Sequence, residues 1–166
     1  LALLLALTLL PVLSPSLSFQ GDLILLFTLL EIPMICRVIA GFTSSSVYGE
    51  VGATREAVLS LAYNLPFLAG IAILAQQAGS FQIADLRMAA FSPLVALALV
   101  SMFFSFPAKL HLNPFSLANA EQEIYSGPTT EFSGPVLAAW ELVHAFEWVA
   151  LTGLLAALLI PAGASW

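Results

Sequence analysis

Glu141, His144 and Glu147 recur at three-residue steps, which on a helix confines them to about 120° of one face. Such a stripe offers carboxylates and an imidazole to a common partner. A Glu-x-x-His pattern can ligate iron in carboxylate bundles, but that chemistry needs a second such motif on another helix, and the sequence has none. Two readings stay open: a hydrogen-bonded path for protons or water, and a buried polar network that fixes helix packing. Glu31 and Arg37 lie six residues apart, about 120° around a helix, so each is expected to face another helix or a neighbouring subunit. Glu121, Glu123 and Glu131 form an acidic set in a polar stretch, where close carboxylates titrate together and can pass protons. The same three residues could instead solvate a loop or pair with a docked partner. Thr54 suits a helix N-cap, with Glu56 in the first turn and Arg55 anchored at an interface.

These groups sit in an unusual background. Of 166 residues, 60% are hydrophobic and 8% charged, against about 25% charged in a soluble domain. Four Lys/Arg against ten Asp/Glu also excludes a basic surface for nucleic acid. The solvent implied is a lipid bilayer. A lone Cys36 excludes a disulfide framework and any Cys-rich metal or iron–sulfur site within these residues. The chain opens on Leu1 and runs into LALLLALTLLPVL without the basic segment of a signal peptide, so it is read as a piece of something longer.

A spanning helix needs about 20 largely apolar residues. Residues 22–40, 56–75, 87–106 and 135–160 qualify, and residues 1–13 resemble the tail of a fifth. Period-two alternation is absent, so the expected fold is an all-α integral membrane protein. It forms one domain over residues 1–166, a bundle of four to five transmembrane helices with a long acidic loop between the last two. The connections at residues 41–53 and 108–134 fall on one side, and Arg55 and Lys109 there against Arg87 opposite place that side in the cytoplasm. Pro33, Pro66 and Pro93 are expected inside helices, kinking them or opening the backbone.

Two segments carry a resemblance. GFTSSSVYGEVGATREA (residues 41–57) and NPFSLANAEQEIYSGPTTEFSG (residues 113–134) resemble the subunit 1 (H) family of respiratory complex I. That family has a Gly-Ala-x-Arg helix start, matched by Gly52, Ala53 and Arg55. It also has a long Pro-Phe-Asp loop motif, matched by Pro114, Phe115, Ala120, Glu121, Glu123, Gly127, Glu131, Phe132, Ser133 and Gly134. The spelling Arg55-Glu56-Ala57 and Glu121-Gln122-Glu123 with Gly127-Pro128 is more similar to the membrane subunits of energy-converting nickel–iron hydrogenases and formate hydrogenlyase.

The resemblance implies a non-catalytic subunit of an oxidoreductase complex in the cell's inner (cytoplasmic) membrane. It would anchor hydrogenase-like large and small subunits at the acidic loop and couple their electron transfer to H⁺ or Na⁺ movement in antiporter-like neighbours. The nickel–iron centre and iron–sulfur clusters would lie in those partners, with no cofactor or metal in this chain. By resemblance, Glu121, Glu123, Glu131 and Arg55 belong to the junction, and Glu56, Glu141, His144, Glu147, Glu31 and Arg37 are the remaining candidates for an ion path or docking. Two alternatives remain: the quinone-site subunit of NADH-quinone oxidoreductase, and a structural paralogue whose ion path is lost. The departures bear on the last, because Asn64 and Lys109 stand where the family commonly has glutamates, and Ser116 and Asn119 replace acidic residues of the loop motif.

Overall fold

The computed structural model describes residues 1–10, 18–86, 92–116 and 127–159, and these contain helices and no strand. In chain order they are α1 (Ala2–Leu9), α2 (Asp22–Thr43), α3 (Val47–Ala78), α4 (Ile83–Leu86), α5 (Pro93–Lys109), a 3₁₀ turn (Gly127–Thr129) and α6 (Gly134–Leu159). α2, α3 and α6 are long and apolar enough to cross a bilayer. α5, at 17 residues, reaches about 26 Å, short of a typical hydrocarbon core. Outward-facing positions are apolar as lipid contact requires: Leu61, Leu65 and Phe104 are each about two-thirds exposed.

Several boundaries differ from the sequence expectation. The span expected from residue 56 is the middle of a helix that begins at Val47, so the polar connection at residues 41–53 shrinks to Ser44–Ser46. Ser46 takes the extended N-cap conformation and Glu50 supplies the first-turn carboxylate, while Thr54 donates its hydroxyl to the Glu50 carbonyl at 3.0 Å. Thr54 is therefore not a cap, and Glu56 is not a first-turn residue. Gly49, Gly52 and Ala53 make this early helix possible by giving it a small buried face; a Cβ on Gly49 would meet the Ser44 hydroxyl at 2.1 Å. Pro93 does not interrupt α5 but opens it, where a missing N–H costs nothing, and Ser92 accepts from the Val95 N–H at 3.2 Å. Pro33 and Pro66 do lie inside α2 and α3, and the Pro66 carbonyl accepts from Ser101 at 2.8 Å. Of residues 1–13, Ala2–Leu9 form a helix, and residues 11–13 lie outside the described residues, as do 87–91.

The bundle is zoned along its length. Leu23 and Leu26 of α2, Ile71 and Leu74 of α3, Val95 and Ala98 of α5, and Leu151 and Leu154 of α6 pack into one apolar core. These positions lie at one end of an antiparallel arrangement, the start of α2 and α5 and the end of α3 and α6, and the core continues past it through Leu30, Phe67 and Met102 to Leu110. Asp22 closes that end: buried, it accepts from the Ile83 N–H at 2.9 Å and from Ser18 at 3.1 Å, while Gln82 donates to Ser18 at 2.7 Å. At the other end, Glu131 accepts from the Ser45 N–H at 3.3 Å, joining the α2–α3 turn to the stretch before α6. The two connections expected on one side thus meet there.

α3 is the hub, packed on both α2 and α5. Gly70 sets its approach to α5, since a Cβ there would lie 2.6 Å from Met102 Cγ and 3.0 Å from the Ala98 carbonyl. Gly70→Leu should force the two helices apart and cost about 1–3 kcal/mol, read as a lowered thermal midpoint of the protein in lipid nanodiscs. An unchanged midpoint would show that this crossing does not depend on close approach.

Candidate functional site

Most of the buried charge lies beside the apolar core, away from Asp22. Glu31 and Arg37 of α2, Glu56 of α3, Lys109 at the end of α5, and Glu147 of α6 are buried. Glu56 lies about 14 Å along α3 from Val47 and Glu147 about 20 Å along α6 from Gly134, well inside their helices. A charge at such depth needs a partner from another element. Each of these groups has one.

Two linked constellations result. In the first, Lys109 forms an ion pair with Glu31 Oε1, Asn64 donates to Glu31 Oε2 at 2.7 Å, and Lys109 donates to Asn64 Oδ1 at 3.1 Å. The ammonium also lies 5.1 Å from the Tyr63 ring, 5.4 Å from Phe27 and 5.7 Å from Phe67, within cation–π range of all three. In the second, Arg37 Nη1 lies 3.5 Å from Glu56 Oε1 and Arg37 Nη2 donates to Glu147 Oε2 at 3.4 Å. His111 Nε2 lies 2.8 Å from both Glu56 oxygens, and its Nδ1 is 3.2 Å from Arg37 Nη1. The same Nη1 is also 3.3 Å from His111 Nε2, so the guanidinium lies near both ring nitrogens. His144 Nδ1 lies 3.3 Å from the same Glu147 oxygen that Arg37 uses. A cavity of about 10 Å³, room for about one water, sits among Arg37, Tyr63, Lys109, His111 and Glu147 and joins the two constellations.

His111 is the member that sequence reasoning missed, and its position follows from how α5 ends. The His111 N–H donates to the Ala108 carbonyl at 3.2 Å and the Leu112 N–H to the Pro107 carbonyl at 2.9 Å, the paired bonds of a Schellman cap. The cap residue must take positive φ, normally a glycine's role, and His111 has φ 53°. A left-handed imidazole costs about 1 kcal/mol, and the side chain recovers it by entering the network. The available sequence signal was Pro107 four residues before the histidine, marking a helix about to end.

The sequence candidates divide accordingly. Glu31, Arg37, Glu56 and Glu147 are network members, with His144 at its edge, so the expectation that Glu31 and Arg37 face other helices holds. Glu141 does not join; it is exposed and lines a polar cavity of about 70 Å³ with Arg37, Thr129, Trp140 and His144. Glu56, expected as a cap, is wholly buried because α3 starts two turns earlier. Arg55, its neighbour on α3, is half-buried within the helix rather than at a helix start, for the same reason. Glu131 is exposed on the α2–α3 turn. Glu121 and Glu123 lie outside the described residues, as do Ala118, Asn119 and Ala120 of the same loop. Among the described residues, no group of three or more His, Cys, Asp or Glu is placed to hold a metal ion.

The two unexpected residues, Asn64 and Lys109, are partners of each other and of Glu31. Removing one member of a buried pair strands the other: Glu31→Leu should cost about 3–5 kcal/mol, and adding Lys109→Met should recover most of it. Unfolding of single and double variants in nanodiscs measures this, and additive losses would refute the pairing. His111→Gly should be about 1 kcal/mol less destabilising than His111→Ala in the same assay, because glycine keeps the cap without strain.

The NADH dehydrogenase family model matches residues 1–165. The chain is 35% identical over 148 residues to hydrogenase-4 component C of Escherichia coli (strain K12), covering 86% of this chain and 47% of that protein. It is 36% identical over 121 residues to formate hydrogenlyase subunit 4 of the same strain, covering 69% and 39%. It is 29% identical over 123 residues to the H-type subunit of NADH-quinone oxidoreductase from Carboxydothermus hydrogenoformans, covering 72% and 35%. The chain thus spans less than half the length of these relatives. With its long apolar helices and buried ionisable network, it belongs to the NADH dehydrogenase family, as a multi-pass membrane component of the kind that complex I and its hydrogenase relatives share.

Proposed function

We propose that this chain is the membrane-arm subunit of an energy-converting hydrogenase that resembles complex I. It anchors the soluble nickel–iron and iron–sulfur subunits at its acidic loop, on the cytoplasmic side of the cytoplasmic membrane. It couples their electron transfer to H⁺ or Na⁺ translocation through antiporter-like neighbours. The hydrogenase names of two relatives support the branch. One observation carries the coupling role: the buried network sets three carboxylates, Glu31, Glu56 and Glu147, against two fixed cations, Arg37 and Lys109. Such buried charges respond to the field around them, so a redox event in a docked partner can shift the balance among them.

Within this chain, the described residues supply positions for charge. Asn64 and Lys109 do not break the route so much as pair with Glu31, leaving Glu56, Glu147 and the two histidines to line the rest of it. A quinone-reducing complex is the second reading, supported by the NADH-quinone oxidoreductase relatives and by an apolar groove of about 320 Å³ beside Tyr63, Pro66 and Phe104.

Mass spectrometry of the native solubilised complex tests the assignment. Nickel–iron hydrogenase and antiporter-like chains are expected, and a quinone-reducing arm would replace the first reading by the second. For the coupling role, Glu147→Gln should leave the complex assembled and its redox turnover measurable in detergent, while lowering ion transport per turnover in proteoliposomes. Unchanged transport stoichiometry would leave the chain an anchor alone. Glu121→Gln with Glu123→Gln should likewise lower coupled activity more than assembly.

A further inference from the structure

The edge of the network is set by a residue that carries no charge. Trp148 lies one turn beyond His144 on α6, and its indole N–H donates to His144 Nε2 at 3.2 Å. The rings meet edge to face, with centroids 6.5 Å apart and planes at 85°. An indole N–H can only donate, so Nε2 must present its lone pair. The ring proton then resides on Nδ1, which points at Glu147 Oε2, 3.3 Å away. Trp148 therefore selects the neutral tautomer of His144 whose proton faces the network.

His144 is also the one imidazole with access to the outside. Its side chain is 33% exposed, and it lines the polar cavity of about 70 Å³, large enough for several waters. His111, 6.2 Å away between ring centroids, is by contrast sealed between Glu56 and Arg37. The ionisable groups facing His144 are Glu147 and Glu141 on its own helix, Arg37 from α2, and His111 after α5, which carries the influence of Glu56 from α3.

We propose that the Trp148–His144 pair is a proton-operated gate at the water-accessible edge of the buried network, with Trp148 as the positioning residue. The step is simple: Nε2 takes a proton from a hydronium ion in the cavity, leaving water, and the hydrogen bond from the indole breaks. No other bond changes. The imidazolium adds a positive charge beside Glu147. Because His144 and Arg37 use the same Glu147 oxygen, the new cation competes with Arg37 and loosens the tie between α6 and α2. The role in ion coupling rests on the function proposed above, whereas the tautomer and its release are properties of the chain itself.

The test is the ¹⁵N spectrum of the full-length protein in lipid nanodiscs, labelled at histidine, with His144 assigned by difference against His144→Gln. At neutral pH the native protein should show a protonated Nδ1 and a bare Nε2. Trp148→Phe keeps an aromatic ring but removes the N–H, and should lose that pattern in favour of a protonated Nε2. In the native protein, acidification should weaken the ultraviolet Raman hydrogen-bond marker of Trp148 in step with protonation of His144, a readout that needs no variant to fold. A native His144 protonated at Nε2, a Trp148→Phe spectrum unchanged at His144, or an indole signal indifferent to that protonation would each overturn the gate. The spectra involve no partner subunit, so they stand or fall apart from the hydrogenase assignment.

Discussion

A charge inside a membrane helix has no water to turn to, and that constraint organises this molecule. Five ionisable side chains on four helices satisfy one another, and the helices must cross where those side chains can meet. The apolar half of the bundle has wide latitude in packing, because lipid and leucine are alike as solvents and association there rests on shape. The polar half has little, because a displaced α5 leaves Glu31 without Lys109 and a displaced α6 leaves Arg37 without Glu147. Close packing in one half, through Gly70 against Met102, serves register in the other.

The network is also uneven in how its members are held. Lys109 is confined by an ion pair, an amide and three aromatic faces, and Arg37 by Glu56, Glu147 and the face of Trp140, 5.9 Å from its guanidinium carbon. Trp140 in turn stacks on Phe132 at 6.1 Å, so the stretch before α6 reaches the arginine through two rings. His144 has fewer restraints and more access to water. Where the restraints thin out, charge can change at least cost to the packing.

Much of the architecture was legible because hydrophobic length is a direct physical signal: α2, α6 and the body of α3 stand close to where apolar runs placed them. The start of α3 was not, because Gly49, Gly52 and Thr54 read locally as loop and cap, while the packing of a small face against neighbours overrode them. Glu56 was legible as a candidate but not as a buried one, because a cap would expose it and a mid-helix position buries it. Glu31, Arg37 and Glu147 were legible as charges in apolar runs. His111 was not, since it falls after a helix and shows its role only through the left-handed cap that aims it inward. Asn64 and Lys109 read as losses one at a time, and only the structure shows that they meet at Glu31.

The short Ser44–Ser46 turn gives these pairings an order during synthesis. α2 and α3 form a tight hairpin, within which Arg37 pairs with Glu56 and Asn64 donates to Glu31. Lys109 and His111 arrive with α5, and Glu147 only with α6. Each later helix thus carries a charge for which the nascent bundle already holds the complement, so insertion of one span prepares the docking of the next.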